Sequence, residues 1–95
     1  MGVRLALVGE LDVANCDSVL AEFLAAVDGA PGFVRESMAG LVIDCAALTF
    51  IDSSGLAMLV TLREKTGLQL VLTNVSQQCR LLFELTRLDA VFDLR

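Results

Sequence analysis

Leu41-Val42-Ile43-Asp44-Cys45, continuing through Ala46 to Ile51 into Asp52-Ser53-Ser54-Gly55 and the apolar-rich run Leu56 to Leu62, is the stretch that decides the fold of this chain. Its first five residues read as a buried strand, the polar quartet as a turn, and the run after it as a helix. Lys65 suits the negative end of that helix and Gly67 terminates it. Leu68 to Thr73 then supplies another strand of alternating, β-favouring residues.

The same alternation extends in both directions. Upstream, Val3 to Val8 is a short, nearly continuous apolar run, the pattern of a strand covered on both faces, and Gly9 breaks it. Asp12 is placed to cap a first helix, along which Cys16, Val19, Leu20, Phe23, Leu24 and Val27 recur at helical spacing as a core stripe. The helix is expected to stop near Val27 or Asp28, with Gly29 as a left-handed residue beyond its end and Pro31-Gly32 barring continuation. Pro31 to Gly40 reads as a loop. Downstream, Asn74 to Ser76 is a turn, and Ser76 caps a third helix with Cys79, Leu82, Phe83 and Thr86 facing inward and Leu85 flanking them. Val91 to Leu94 returns as a last strand. The order βαβαβαβ predicts an α/β domain with a central, mostly parallel (mixed) sheet and helices packed against it. Gly9-Glu10-Leu11-Asp12 and Asp52-Ser53-Ser54-Gly55 each follow a strand directly, so both fall on one edge of the sheet, where loops of α/β folds carry function.

A length of 95 residues fits one domain, which buries somewhat over ~60% of its unfolded surface. Apolar residues make up 56% of the chain, yet no uninterrupted run approaches the roughly 18 residues of a spanning helix. Leu5 to Val8 is shorter than the about 7–15 apolar residues of a signal peptide and is closed by Glu10 and Asp12, so a cytoplasmic location without direct membrane insertion is expected. With a net charge of -5 and its Arg and Lys residues dispersed, the chain is not expected to bind nucleic acid. Cys16, Cys45 and Cys79 lie far apart, which predicts reduced core thiols and neither a disulfide framework nor a zinc site.

The sequence contains no His, which excludes a Ser-His-Asp or Cys-His arrangement. Neither G-x-x-x-x-G-K-[ST] nor G-x-G-x-x-G occurs after a strand. A magnesium site of the phosphoryl-accepting receiver type needs a lysine late in the sheet, and Lys65 lies inside a helix. No catalytic residue, metal or cofactor is expected, and the chain is read as a binding module.

The quartet Asp52-Ser53-Ser54-Gly55 supports two readings. In one it is a plain helix start, with Ser54 or Ser53 as cap, Asp52 favouring the dipole and Gly55 permitting close packing. In the other, a hydroxyl beyond what one cap requires stands exposed beside a helix N-terminus, where an added phosphate finds amide donors. Glu10 and Asp12 likewise read either as solvation and capping or as part of a site.

These residues resemble the STAS domain, the family of sulfate transporters and anti-sigma factor antagonists. Val8-Gly9-Glu10-Leu11-Asp12 is similar to its first motif, Leu48 to Leu56 to its phosphorylation loop, and Leu85 to Leu94 to its last helix and strand. The resemblance covers residues 1–95 as a single STAS domain, in which the family's usual additional strand ahead of Val3 has no counterpart. It implies a bacterial anti-sigma factor antagonist. On the same ground Ser53 matches the phosphoacceptor, Asp52, Ser54 and Gly55 support the loop, and Glu10, Leu11, Asp12 and Leu56 border the partner surface. The implied partner is an anti-sigma factor with serine kinase activity, which releases a sigma factor when the antagonist binds and dissolves the complex by phosphorylating the serine. A separate phosphatase restores the serine, and ATP and magnesium belong to the kinase. A second branch of the family implies a different role, that of a non-phosphorylated STAS subunit of an ABC-type lipid transporter.

Overall fold

In the computed structural model, which describes residues 4–29 and 40–95, the chain alternates strands and helices throughout. Strand β1 (Arg4–Leu11) leads to helix α1 (Cys16–Asp28), β2 (Leu41–Ile51) to α2 (Ser53–Thr66), and β3 (Leu70–Thr73) to α3 (Gln77–Leu85). A 3-10 turn (Leu88–Ala90) and a two-residue strand β4 (Asp93–Leu94) close the chain. The four strands form one sheet in the order β1-β2-β3-β4, and every pairing is parallel. The expected α/β class and element order hold. The start of the first strand at Val3 and most of the Pro31 to Gly40 loop lie outside the described residues.

Right-handed crossovers that always step to the next strand put their helices on one face of the sheet. The core accordingly gathers on that face. Leu7 and Leu11 of β1, Leu41, Ile43, Cys45, Leu48 and Ile51 of β2, and Leu70 and Leu72 of β3 are buried against Phe23 and Val27 of α1, Leu59 and Leu62 of α2, and Phe83 of α3. Phe83 meets Phe92 edge to face, ring centroids 6.0 Å apart, which fastens the end of the chain to α3. On the other face Ala6, Val8 and Glu10 are exposed, so β1 alternates in and out and is not covered on both faces. A run of apolar residues on an edge strand reads like a buried one, and only the packing separates the two cases.

Gly9 also departs from expectation. At φ +77 it takes a conformation that other residues reach at a cost, but the strand runs on through it to Leu11. The pairing of β1 with β2 shifts register between Ala6 and Val8 and again between Gly9 and Glu10, each time with one extra residue on β2. Strand β2 is therefore continuous over eleven residues, and Ala46 to Ile51 belongs to it. Asp44 anchors the first bulge, its Oδ1 accepting from the Ala46 amide at 2.9 Å and from Asn74 Nδ2 at 3.1 Å, and these bonds hold its carboxyl below the usual range.

Helix α1 ends at Asp28 as expected, but Gly29 is right-handed, φ -76, and caps by donating to Ala25 O. Gly67 is left-handed, φ 68, and ends α2 by donating to Arg63 O. Ser76 caps α3 by accepting from the Cys79 amide at 3.1 Å. Thr86 falls beyond the last turn of α3 and is exposed, not inward, while Leu85 is 74% exposed. The expected return strand from Val91 shrinks to Asp93–Leu94, because Leu88–Ala90 winds as a 3-10 turn first. The three cysteines are free and buried, and burial pushes the Cys45 thiol up to about 12, which keeps it protonated at neutral pH.

Candidate functional site

The site is assembled at the carboxyl ends of the two longest strands. Leu11 is in register with Ile51, and the Asp52 amide donates to Leu11 O at 3.3 Å, so the loop leaving β1 and the helix start after β2 touch. The two motifs thus share one edge of the sheet. Strand order never reverses, so this edge has no crevice of the switch-point kind and presents a surface.

Asp52 is the N-cap of α2. Its Oδ1 accepts from the Ser54 amide at 2.9 Å and the Gly55 amide at 3.2 Å, and its carbonyl accepts from Leu56 at 3.0 Å. This corrects the expectation that a serine caps the helix: the carboxylate already takes the donors the hydroxyl would have used. Ser53 follows as the first helical residue and is exposed, and Ser54 is half-buried behind it. Neither hydroxyl makes a hydrogen bond among the described residues, so the quartet carries hydroxyls beyond its capping need. Gly55 is there for space. A Cβ on it would lie 2.7 Å from Ile51 Cγ1, 2.9 Å from Leu11 O and 3.0 Å from Leu11 Cγ, so its lack of a side chain is what lets α2 start against β1.

The facing loop is tied by Asn15, a residue the motif-based reading passes over. Asn15 Oδ1 accepts from the Asp12 amide at 3.0 Å and its Nδ2 donates to Glu10 O at 2.6 Å. Asp12 caps no helix amide. Its Oδ1 accepts from Ala14 at 3.0 Å, closing a turn before α1 begins at Cys16. The sequence signal was present, since Asn three residues beyond an Asp and next to an apolar-periodic stripe is a favoured helix-start residue.

Glu10 is exposed and Asp12 half-buried at this edge. Leu11 and Leu56, expected to border the partner surface, are 1% and 4% exposed and belong to the core. They support the edge from beneath. The apolar exposure falls on residues the sequence did not single out: Val13 at 75% in the loop, Val8 at 75% on β1, and Phe50 at 48%, in register with Glu10. The bulges in β2 turn the side-chain phase twice, leaving Leu48 inside and Phe50 outside, which no simple alternation foretells. Glu10, Asp12, Asp17 and Asp52 cluster around the edge, while Arg63 and Lys65, with Glu64 between them, sit in the last turn of α2, at the opposite end of the sheet. Among the described residues no group of His, Cys, Asp and Glu could hold a metal ion, and no helix is long and apolar enough to cross a membrane.

The comparisons with known proteins agree with this architecture. A family profile for the STAS domain matches residues 3–95, and the chain belongs to the STAS-domain family. Among solved structures it is similar to the unphosphorylated form of SpoIIAA, an anti-sigma factor antagonist, with a TM-score of 0.63 at 19% identity, covering 100% of this chain and 81% of that one. No curated relative matches the chain.

Proposed function

We propose that this chain is an anti-sigma factor antagonist of bacterial partner switching, acting in the cytoplasm and turned off by phosphorylation of Ser53. The observation that carries this reading is the exposed Ser53 hydroxyl, unbonded among the described residues, on a helix start already capped by Asp52, on the same edge as Glu10, Val13 and Phe50. The partner it fits is an anti-sigma factor with serine kinase activity whose docking face is basic with an apolar centre, complementary to an acidic edge carrying exposed Val13 and Phe50. The kinase brings its own ATP and magnesium, and a phosphatase reverses the switch.

The cap explains why the switch is sharp. A phosphate on Ser53 brings roughly -1.5 to -2 charges beside the Asp52 carboxylate. The Ser54 and Gly55 amides are committed to Asp52, so they cannot cradle the phosphate, which projects outward. The fold tolerates it at the surface. A partner that had closed over a neutral hydroxyl must instead desolvate a dianion, and a loss of only ~3 kcal/mol weakens affinity more than a hundredfold.

The test is phosphorylation and binding with the anti-sigma factor from the source organism. Ser53→Ala is expected to stay folded, resist the kinase and bind constitutively; Ser53→Asp to bind weakly; Ser54→Ala to be phosphorylated normally. Modification of Ser53→Ala but not of Ser54→Ala reverses the two roles. Co-purification with an ABC-type lipid transporter and no modification of either serine assigns the chain to the transporter-subunit branch instead.

A further inference from the structure

Asn15 occupies the cap position of α1, yet its side chain caps no helix amide. Both ends of its side-chain amide are spent instead on the junction between β1 and the turn after it: Oδ1 accepts from the Asp12 amide at 3.0 Å, and Nδ2 donates to Glu10 O at 2.6 Å. These bonds grip the two peptide groups that flank Leu11. The second of the two is held at its other end as well, because Leu11 O accepts from the Asp52 amide at 3.3 Å. A single peptide group, Leu11–Asp12, therefore links Asn15 to the residue that precedes Ser53. Asn15 also closes the turn that carries Val13: its backbone N–H donates to Asp12 O at 3.2 Å, and the Asp12 carboxylate accepts from the Ala14 amide at 3.0 Å. Glu10 and Val13, the side chains of this segment that the proposed partner meets, both stand exposed. Turns that leave a strand are ordinarily among the mobile parts of a fold, and ordering them on contact subtracts from affinity. A turn fixed beforehand docks at less cost.

We infer that Asn15 is a positioning residue for recognition by the kinase: it holds the segment from Glu10 to Val13 in place against the helix start that presents Ser53, so that the partner docks on a surface formed in advance. This role rests on the functional reading above, in which an anti-sigma factor with serine kinase activity acts on Ser53. It is separable from that of Asp52, whose carboxylate holds the first turn of α2 itself. Loss of the Asn15 side chain leaves that turn capped and loosens only the docking segment, so recognition of the chain weakens while transfer to a docked Ser53 does not.

Steady-state phosphorylation by the anti-sigma factor of the source organism tests it, together with amide hydrogen exchange of the chain alone. Asn15→Ala is expected to raise KM for the chain about tenfold with kcat nearly unchanged, and to speed exchange at the Asp12 amide, which loses its acceptor. Asn15→Ser, whose hydroxyl can still accept from one amide, should fall between the native chain and Asn15→Ala, and it carries the test where the alanine variant does not fold. Gly67→Ala, which strains a left-handed residue at the far end of α2, separates this role from stability: it should lower Tm and leave KM unchanged. An anti-sigma factor that neither binds nor modifies the native chain overturns the functional reading and this assignment with it. A KM unchanged in both Asn15 variants, a loss confined to kcat, or a rise in KM shared by Gly67→Ala overturns the assignment alone.

Discussion

Asp52 and Asp44 do the same kind of work at two bends of the chain: each carboxylate fixes backbone amides that the fold would otherwise leave open. Asp52→Ala removes the side chain that caps the first turn of α2 and is expected to cost about 1 kcal/mol, within the 0.5–2 kcal/mol of other caps, while Asp52→Asn, which keeps an acceptor, costs less. Urea unfolding of the two variants checks the order. Asp44 titrates below the ordinary carboxylate range because Asn74 and the Ala46 amide hydrogen-bond its charged form, with Arg4 adding attraction. A lowered folded value means that this contribution is complete above the unfolded value near 3.8 and fades as the pH falls through and below it. The stability gap between the native chain and Asp44→Asn is therefore expected to be constant near neutrality and to narrow below pH 4, as read from denaturant midpoints on a pH series.

Among elements, the contact of α2 with β1 is the most tightly specified. Gly55→Ala gains up to about 1 kcal/mol of helix propensity but drives a methyl into Leu11 O and Ile51, an overpacking of ~1–3 kcal/mol with backbone on one side that cannot give way. A net loss of about 1–2 kcal/mol is expected, and calorimetry should record it as a fall in Tm of ~4–8 °C per kcal/mol. The bulges in β2 act at the same scale. They lengthen the strand so that Ile51 still meets Leu11 at the site edge, and they turn Phe50 to solvent beside Glu10.

For the whole molecule, the acids at the site edge matter most. Glu10, Asp12, Asp17 and Asp52 favour the approach of a basic surface, the chemistry of the partner proposed above. Glu10→Lys is expected to weaken partner binding while leaving Tm nearly unchanged, since Glu10 is exposed and among the described residues its carboxylate makes no hydrogen bond, only its backbone being tied, to β2 and to Asn15. Association kinetics at rising ionic strength check the cause: the native on-rate should fall with salt and the variant's much less.

Much of this was legible in the residues. The alternation of strand and helix, the α1 stripe from Cys16 to Val27, the Gly67 stop and the Ser76 cap follow from local periodicity and local hydrogen bonding, which neighbours in the chain control. The placing of both motifs on one edge followed from parallel connection alone. The cap at Asp52 was decided by competition between adjacent acceptors for the same two amides, which spacing cannot rank. Sidedness was decided by tertiary structure, because strand order β1-β2-β3-β4 puts every helix on one face and leaves Ala6 and Val8 exposed, whereas the apolar run from Val3 to Val8 suggested burial on both faces. The sequence by itself determined which elements form and which loop carries the serine, since those depend on interactions a few residues long. Only the tertiary structure decided that Leu11 and Leu56 lie beneath the site and Val13 and Phe50 upon it, because burial is set by what packs against a residue from elsewhere in the chain.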